Sequence, residues 1–249
     1  IIYAANDGNS SSDCSLAVPC TVSRAIQLTK AAFPQPTIRM LPGVYVEGLS
    51  LTGTTTSPID IVASGATIAD AIALNVQAGA TVRIRGPELV GTNFALSCGG
   101  ANTPASKVTV LDAKLIAGNG DANVVGGSEC EISVSNSKLA VNDGGAITIA
   151  TGASFIGDRL HIAGTQTFIL MLFNNVHLAI SNSVIEDPVF NFAASSSASA
   201  LLSYNTIVFT SANEIQCGTV DPGFSVRIEN NIIASVGAPI TSVITGAAG

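Results

Sequence analysis

The stretch VRIRGPEL at residues 82–89 returns as VTVLDAKL at 108–115 and as ISVSNSKL at 132–139. Each copy is a run of alternating apolar residues, followed by a small, amide or acidic residue and by an apolar residue three positions later. A phrase that recurs in this way indicates a solenoid in which each repeat forms one coil. Further copies follow in the second half of the chain: FIGDRLHI at 155–162, LAISNSVI at 178–185, LLSYNTIV at 201–208 and VRIENNII at 226–233.

One marker residue in each phrase sets the length of the repeat. Successive markers lie 22 to 26 residues apart, and a solenoid accommodates this variation because insertions enter loops on its rim. Gly and Asn tolerate left-handed backbone angles, and Asp and Asn bind nearby backbone groups, so the markers are interpreted as turn residues. We expect the amides of the last three to stack in a ladder. The markers are Gly86, Asp112, Asn136, Asp158, Asn182, Asn205 and Asn230.

The repeat is composed of strands, because it alternates with period two and is rich in β-branched residues. Residues 37–53, 57–70 and 71–86 show the same alternation, which brings the expected number of coils to about nine or ten. The predicted fold is therefore all-β: a right-handed parallel β-helix that forms a single domain over residues 1–249.

The first 36 residues have a different pattern. Residues 1–5 read as a strand, and residues 6–13 read as a polar loop rich in turn formers. Residues 21–33 carry apolar side chains at helical spacing, and two prolines follow. We expect this single helix to cover the open end of the coil stack at 37–249, because an uncovered end would expose strand edges and apolar interior.

Charge is scarce in this chain, with 11% charged residues against about 25% in a typical soluble domain. The net charge of −7 argues against a nucleic-acid partner, because phosphate binding needs a basic surface. No apolar run reaches the roughly 18 residues that a membrane-spanning helix needs. The outer faces must then consist of small and uncharged polar residues, and such faces are either solvated or covered by neighbouring molecules.

The five cysteines are unevenly placed. Cys14 and Cys20 enclose a short segment that a disulfide would close. Cys98 and Cys130 fall in loops of adjacent coils, where a second bridge is open but does not follow from the sequence. Cys217 is left over, as a free thiol or the site of an intermolecular bond. Paired cysteines favour an oxidising compartment, and the strand-like start IIYAA is interpreted as a mature secreted chain whose leader has been removed.

The opening YAANDGN, the pair of cysteines, the helix and a first coil with Gly43, Tyr45 and Glu47 in a G-x-Y-x-E pattern follow one another along the chain. This arrangement resembles secreted bacterial right-handed parallel β-helix proteins of the pectin-lyase-like superfamily. The resemblance covers residues 1–53 in motif and the rest of the chain in repeat style. The resemblance implies the β-helix fold and secretion. It does not imply one activity, because methylesterases and non-enzymatic surface proteins share the phrase of the first coil.

The catalytic phrases of the polysaccharide-cleaving members are absent from the sequence. Asn205 and Thr206 precede Ile207 rather than the Asp of an N-T-D motif, and the D-D, H-G and R-I-K phrases are missing too. We therefore expect no catalytic residue, no metal and no cofactor, while an enzymatic activity stays an open alternative. A calcium site would require loop carboxylates to converge, and the candidates are Asp121, Asp143, Asp187 and Glu186.

Other charged residues have a position in the repeat. Glu88, Lys114 and Lys138 each stand two positions after a marker in successive coils, which predicts an exposed ladder of ion pairs. His161 and His177 fall at different positions of the repeat, so they are interpreted as ordinary rim or core residues.

The expected function is that of a non-catalytic extracellular structural protein: a cell-surface or filament-forming β-helix subunit or an adhesin. Its partners would be further copies of itself or neighbouring surface proteins, which associate through faces or ends. The alternative is a carbohydrate-active β-helix enzyme or a polysaccharide-binding module. Aromatic residues, which usually form the platforms of carbohydrate grooves, make up only 5% of the chain and include no Trp.

Overall fold

The computed structural model is a parallel β-helix with one short α-helix near its N-terminus, so the predicted fold class is confirmed. The chain winds through two sheets, and each coil stacks on the coil before it. The structure describes residues 1–31, 36–53, 57–100, 105–118, 122–141, 144–164, 167–194, 197–210, 215–217, 223–236 and 244–246.

The strands are short, and many coils contribute one strand to the first sheet and two to the second. In chain order the elements are β1 (Ile2–Ala4), α1 (Val22–Ala31), β2 (Ile38–Met40), β3 (Gly43–Tyr45), β4 (Leu49–Thr52), β5 (Ile59–Val62), β6 (Ala66–Gln77), β7 (Thr81–Arg85), β8 (Glu88–Gly99), β9 (Ser106–Leu111), β10 (Lys114–Ala117), β11 (Ala122–Gly127), β12 (Cys130–Ser135), β13 (Lys138–Val141), β14 (Gly144–Ile149), β15 (Ser154–Asp158), β16 (His161–Gly164), β17 (Thr167–Phe173), β18 (His177–Ser181), β19 (Val184–Glu186), β20 (Pro188–Ala194), β21 (Ser199–Ser203), β22 (Thr206–Phe209), β23 (Ile215–Cys217), β24 (Ser225–Glu229), β25 (Ile232–Ser235) and β26 (Ile244–Gly246).

All pairing between coils is parallel within the described residues, as in β9 with β12 and in β17 with β20. The first sheet stacks ten strands in the order β1-β2-β5-β7-β9-β12-β15-β18-β21-β24, and the other strands form the second sheet. About seven regular coils lie between the short-stranded coils at the two ends. The predicted nine or ten coils are thus modestly too many, because the irregular end coils were counted as full repeats.

The apolar residues of the repeat point inward and stack on their counterparts in the neighbouring coils. Leu89 and Leu115 align in register in the second sheet, and both are fully buried. Each such side chain stabilises the fold by about 1.5–3 kcal/mol. Where a coil carries the larger Phe155, the next inward position is Gly157, and a Cβ there would lie 2.9 Å from the Phe155 ring and 2.6 Å from Leu160. The large volume of Phe155 is therefore offset by the small volume of Gly157 within one coil.

The helix begins and packs as the sequence predicts. The hydroxyl of Thr21 accepts a hydrogen bond from the amide of Arg24 at 3.3 Å, which is an N-cap contact. The apolar face with Ala25 and Ile26 is buried, and the helix contacts β1, β2 and β4. The predicted helix end at residues 32 and 33 lies outside the described residues.

The free edge of β1 is covered by the cysteine segment as well as by the helix. Cys14 and Cys20 form a disulfide, as predicted. The amide of Tyr3 donates to the carbonyl of Cys14 at 2.8 Å, and the amide of Cys20 donates to the carbonyl of Tyr3 at 3.0 Å. The edge groups of the first strand are therefore satisfied within the chain.

Each coil leaves the first sheet through one residue in the left-handed conformation, and these residues stack to form the corner row. Their φ angles lie between 51° and 80°, a region that Gly, Asn and Asp adopt most readily. All but the half-buried first one are exposed. The corner row consists of Gly86, Asp112, Asn136, Arg159, Asn182, Tyr204 and Asn230.

In two coils the corner residue differs from the predicted marker. Strand pairing places Arg159 rather than Asp158 in the corner row, and Tyr204 rather than Asn205. Asp158 is the last residue of its strand and lies one position earlier. Asn205 lies one position later and is buried. The markers were selected by residue type, whereas the backbone register decides which residue turns the corner.

The direction of backbone pairing reverses at the corner. The amide of Asn182 in the corner row donates to Ser203 in the following coil, at 3.3 Å. Two residues later the amide of Val184 donates to Leu160 in the preceding coil, at 2.9 Å. The amide of the residue between them points to neither neighbouring strand, and a buried amide without a partner is costly.

In four coils a side chain of the next coil accepts the intermediate amide, and the residues that follow the corner row are called the inner row. Asn205 accepts the amide of Ser183 at 3.0 Å through Oδ1, and its Nδ2 donates to the carbonyl of Ile180 at 2.9 Å. In the same way, Asn231 Oδ1 accepts the backbone amide of Asn205 at 2.8 Å. The hydroxyls of Ser137 and Ser183 accept the amides of Ala113 and Leu160, and Pro87 needs no acceptor because it has no amide hydrogen.

We expect Asn205→Ala to lower the free energy of unfolding by about 2–4 kcal/mol, because the amide of Ser183 and the carbonyl of Ile180 lose their buried partner. Urea denaturation followed by circular dichroism measures this change. The matched control is Asn230→Gly, which replaces an exposed corner residue with one that tolerates its φ of 57° and should cost under about 0.5 kcal/mol. Equal effects of the two substitutions would contradict the role of the inner row.

Candidate functional site

The corner row and the first column of the second sheet enclose an open groove with a volume of about 880 Å³, called the corner groove. It runs parallel to the stacking axis, from the coil of Gly65 to the coil of Asn182. The five intervals between these six coils, at about 4.8 Å each, give it a length of about 24 Å. Its shape follows from the fold, because the residues that line it repeat in register from coil to coil.

One wall of the groove is a column of aligned side chains on the second sheet. Thr67, Glu88, Lys114, Lys138 and His161 stand in register in successive coils. The ammonium of Lys114 lies 2.6 Å from Glu88 Oε1, and the hydroxyl of Thr67 donates to Glu88 Oε2 at 3.3 Å. The predicted column of Glu88, Lys114 and Lys138 is thus observed, with its ion pair at the first two.

Lys138 differs from the other basic side chains of the groove. Its neighbours in the column are Lys114 and His161, and both of these are already paired with carboxylates. Among the residues that the structure describes, no carboxylate lies within ion-pair distance of the Lys138 ammonium. Lys138 is exposed, so its ammonium is available to a ligand.

The two histidines lie on different faces. His161 Nε2 lies 2.8 Å from Glu186 Oε1 at the end of the groove, and both side chains are about 44% exposed. His177 is on the first sheet, where Nδ1 contacts the hydroxyl of Ser199 at 2.8 Å. They therefore form no joint site, as expected from their different positions in the repeat.

The corner row forms the opposite wall and is linked to the last column of the first sheet. Arg85 Nε lies 3.6 Å from Asp112 Oδ2, and the side-chain amide Nδ2 of Asn136 donates to Asp112 Oδ1 at 3.1 Å. One coil further, Arg159 Nε lies 3.2 Å from Asp158 Oδ2. These exposed pairs contribute little stability each, but they hold the side chains of the wall in place.

Asp158 has a lowered pKa. The main cause is the hydrogen bond from the side-chain amide of Asn182, at 2.8 Å. Burial is the next cause and opposes the shift, and the hydroxyl of Ser181 and the nearby Arg159 lower the pKa further. The Asp158 side chain is 31% exposed, and the largest cause of the shift is a local hydrogen bond rather than the interior of the protein.

The lining of the groove has one more basic than acidic side chain, and Asp158 beside it pairs with Arg159, whereas the chain as a whole is acidic. The lining contains three basic residues, Lys114, Lys138 and Arg159, against the acidic Glu88 and Asp112. The whole chain has 10 basic and 17 acidic residues. Because Lys138 is the lining cation without a carboxylate partner among the described residues, an anionic ligand is favoured at Lys138 rather than on the acidic surface as a whole.

The arrangement of the groove is suited to binding. Its carboxylates hold neighbouring cations or amides, as Glu88 holds Lys114 and Asp112 holds Arg85 and Asn136. Within the described ranges no three His, Cys, Asp or Glu residues come together as a metal site would require. Of the calcium candidates, Glu186 pairs with His161, whereas Asp121 and Asp143 lie outside the described residues.

The remaining cysteines lie away from the groove, near the corner at which the coils return to the first sheet. Cys98 and Cys130 are buried and free, and Gly127, the strand partner of Cys98, lies beside the Cys130 sulfur. The contact with Cys130, and then burial, raises the pKa of the Cys98 thiol. Cys217 lies in β23, in register with Phe192 and Gly246, and its side chain is outside the described part of the chain.

Sequence reasoning missed the groove itself and a second corner. The column was predicted as an exposed ladder, but its position against the corner row depends on the angle between the sheets. Each coil also turns back to the first sheet through residues with positive φ, such as Glu129, Gly152, Asn175 and Ser197. The signal for these turns is weak, because their residue types vary more than those of the first corner.

Comparisons with known protein families, with curated proteins and with solved structures find no match for this chain. In the described residues, no helix has the length and apolar character needed to cross a membrane.

We expect the pKa of Asp158 to lie below its ordinary value of 3.8 and to rise in Asn182→Gly, which keeps the corner conformation but removes the amide donor. Carboxyl-carbon NMR titration measures both values. The stabilisation from this group is present above the pKa of the unfolded chain and is lost as the pH falls through the lower folded pKa.

Asn136→Gly is the matched control for this titration. It also removes a side-chain amide from the corner row, but the Asn136 amide donates to Asp112, so the pKa of Asp158 should stay unchanged. An equal effect of the two substitutions would show that the shift does not come from the Asn182 hydrogen bond.

Proposed function

We propose that this protein is a non-catalytic extracellular β-helix that binds an acidic polysaccharide along the corner groove. The observation that carries the proposal is the unpaired ammonium of Lys138 in the middle of a groove that is continuous over six coils. A groove of this length fits an extended chain better than a compact ligand. Carboxylate or sulfate groups on such a chain would pair with Lys138 and with the exposed guanidinium of Arg159.

The groove would hold a polymer at regular intervals. Its side chains repeat once per coil, at about 4.8 Å, which is close to the length of one sugar unit in an extended chain. The side-chain amides of Asn136 and Asn182 would hydrogen-bond to hydroxyl groups of the sugar chain. The ion-paired side chains that lie between these two residues would do the same. Binding of this kind depends on many weak contacts rather than on one deep pocket.

An extracellular setting and membership of the pectin-lyase-like superfamily are part of the same proposal. The disulfide between Cys14 and Cys20 supports an oxidising compartment. The G-x-Y-x-E pattern of Gly43, Tyr45 and Glu47 supports the superfamily. Tyr45 is buried and its hydroxyl donates to the carbonyl of Leu41 at 2.7 Å, so in this chain the Tyr stabilises the first coil.

We expect the protein to bind alginate and chondroitin sulfate in preference to the neutral dextran, with affinity that falls as salt rises. Lys138→Glu should weaken this binding about tenfold, because a favourable charge contact becomes repulsive. Isothermal titration calorimetry measures the dissociation constants.

Lys107→Glu is the matched control for this experiment. Lys107 lies on the outer face of the first sheet, where it pairs with Glu131 at 2.8 Å, and its reversal changes the net charge by the same amount. Equal losses for the two variants would mean that binding follows overall charge and not the groove, and no binding to either acidic polymer would overturn the proposal.

End-to-end association is a second candidate function, which rests on a different observation. Large apolar side chains are exposed at both ends of the described stack: Leu16 is 61% exposed beside β1, and Ile232 is 66% exposed in the last described coil. Contact between such surfaces on two molecules would be head-to-tail and open-ended, as in a filament.

We expect Leu16→Glu and Ile232→Glu each to reduce association in sedimentation velocity at high protein concentration, because a charge would be placed in an apolar contact. Ile156→Glu is the matched control, since Ile156 is 53% exposed in the middle of the stack. A monomeric protein at all concentrations, or equal effects of all three variants, would exclude assembly through the ends.

A further inference from the structure

The two free thiols lie on either side of the corner at which the coils return to the first sheet. Cys98 is the penultimate residue of β8 and stands in register with Gly127 of β11, in the next coil. Cys130 follows three residues after that glycine and opens β12. The chain thus makes one full coil from Cys98 to Gly127 and places Cys130 three residues further on, at the same corner.

The space around the sulfurs depends on Gly127. A Cβ at this position would lie 3.1 Å from the Cys130 sulfur and 2.6 Å from the side chain of Ile132. The same glycine is the strand partner of Cys98. The absence of a side chain there gives the Cys130 sulfur room beside the backbone of the neighbouring coil.

A shallow depression on the outer face of the second sheet reaches this region. Its volume is about 250 Å³, and Phe94, Asn123, Gly127 and Cys98 are among the residues that line it. Both thiols are otherwise buried, with exposed fractions of 3% and 1%. The depression is therefore the route by which a small reagent would approach Cys98, the cysteine that lines it.

We propose that Cys98 and Cys130 are a site of oxidative modification, at which a low-molecular-weight disulfide converts the two thiols into a covalent bond between adjacent coils. One thiolate attacks the reagent disulfide, forms a mixed disulfide and releases one reagent thiol. The second cysteine then attacks the protein sulfur of this mixed disulfide and releases the second reagent thiol. The two protein thiols are oxidised by two electrons, the reagent disulfide is reduced, and both protons end on the released thiols.

The cross-link would stabilise the stack by joining coils that otherwise interact only through strand pairing and packing. It closes a loop of one full coil, between residues 98 and 130, and so restricts the unfolded chain. Because the pKa of Cys98 is raised, the thiolate is scarce at neutral pH, and the reaction should become faster as the pH rises.

The test uses the full-length Cys217→Ser protein, which leaves Cys98 and Cys130 as the free thiols beside the Cys14–Cys20 disulfide. The protein is incubated with oxidised glutathione, then denatured, alkylated and digested for mass spectrometry. We expect loss of both alkylated cysteines, a peptide that links residues 98 and 130, and a rise in the melting temperature of roughly 5–10 °C.

The control carries Cys130→Ser in addition, so it cannot form the bond, and its melting temperature should not rise with oxidant. Alkylation of both cysteines after exposure to oxidant, a persistent glutathione adduct, or a bond to a second molecule would each overturn the proposal. A 98–130 bond without a rise in melting temperature would refute its stabilising role.

Discussion

The reversal of backbone pairing at the first corner is the constraint on which the coil stack depends. On one side of the corner the amides donate to the following coil, and on the other side they donate to the preceding coil. In four coils one buried or partly buried amide is left between the two directions and is accepted by a side chain of the next coil. Because an unpaired buried amide costs about 1–3 kcal/mol, these side-chain acceptors stabilise the stack.

The inner row shows how the sequence meets this requirement. Asn205, Asn231 and the serines at 137 and 183 each serve the amide of the preceding coil. These contacts run along the stacking axis and fix the position of each coil on the next. Regular stacking in turn places the outward side chains in columns, and two such columns line the corner groove.

The scarce charges of the chain have an uneven distribution over this architecture. Three of the basic residues, Lys114, Lys138 and Arg159, line the groove within three successive coils. Most of the charged groups there are engaged with one another, which orders the walls, and Lys138 is left to interact with a ligand. The proposed binding of an acidic polymer and the proposed cross-link are independent, because they involve two different corners of the coil.

The sequence by itself determined the fold class, the coil length and the end structure of this protein. Alternating apolar residues at intervals of 22 to 26 leave few architectures other than a β-solenoid, and local patterns predicted the helix, the Cys14–Cys20 bond and the column of Glu88, Lys114 and Lys138. Such features depend on residues close in sequence or on a strict repeat.

Only the tertiary structure decided which residues turn the corners and where the groove lies. A marker chosen by residue type favoured Asp158 and Asn205, whereas strand register placed Arg159 and Tyr204 in the corner row and turned Asn205 inward. A change of one position in register reverses the face on which a side chain lies. The meeting of Cys98 and Cys130, and the walls of the groove, likewise depend on hydrogen bonding between coils, which no local pattern in the sequence specifies.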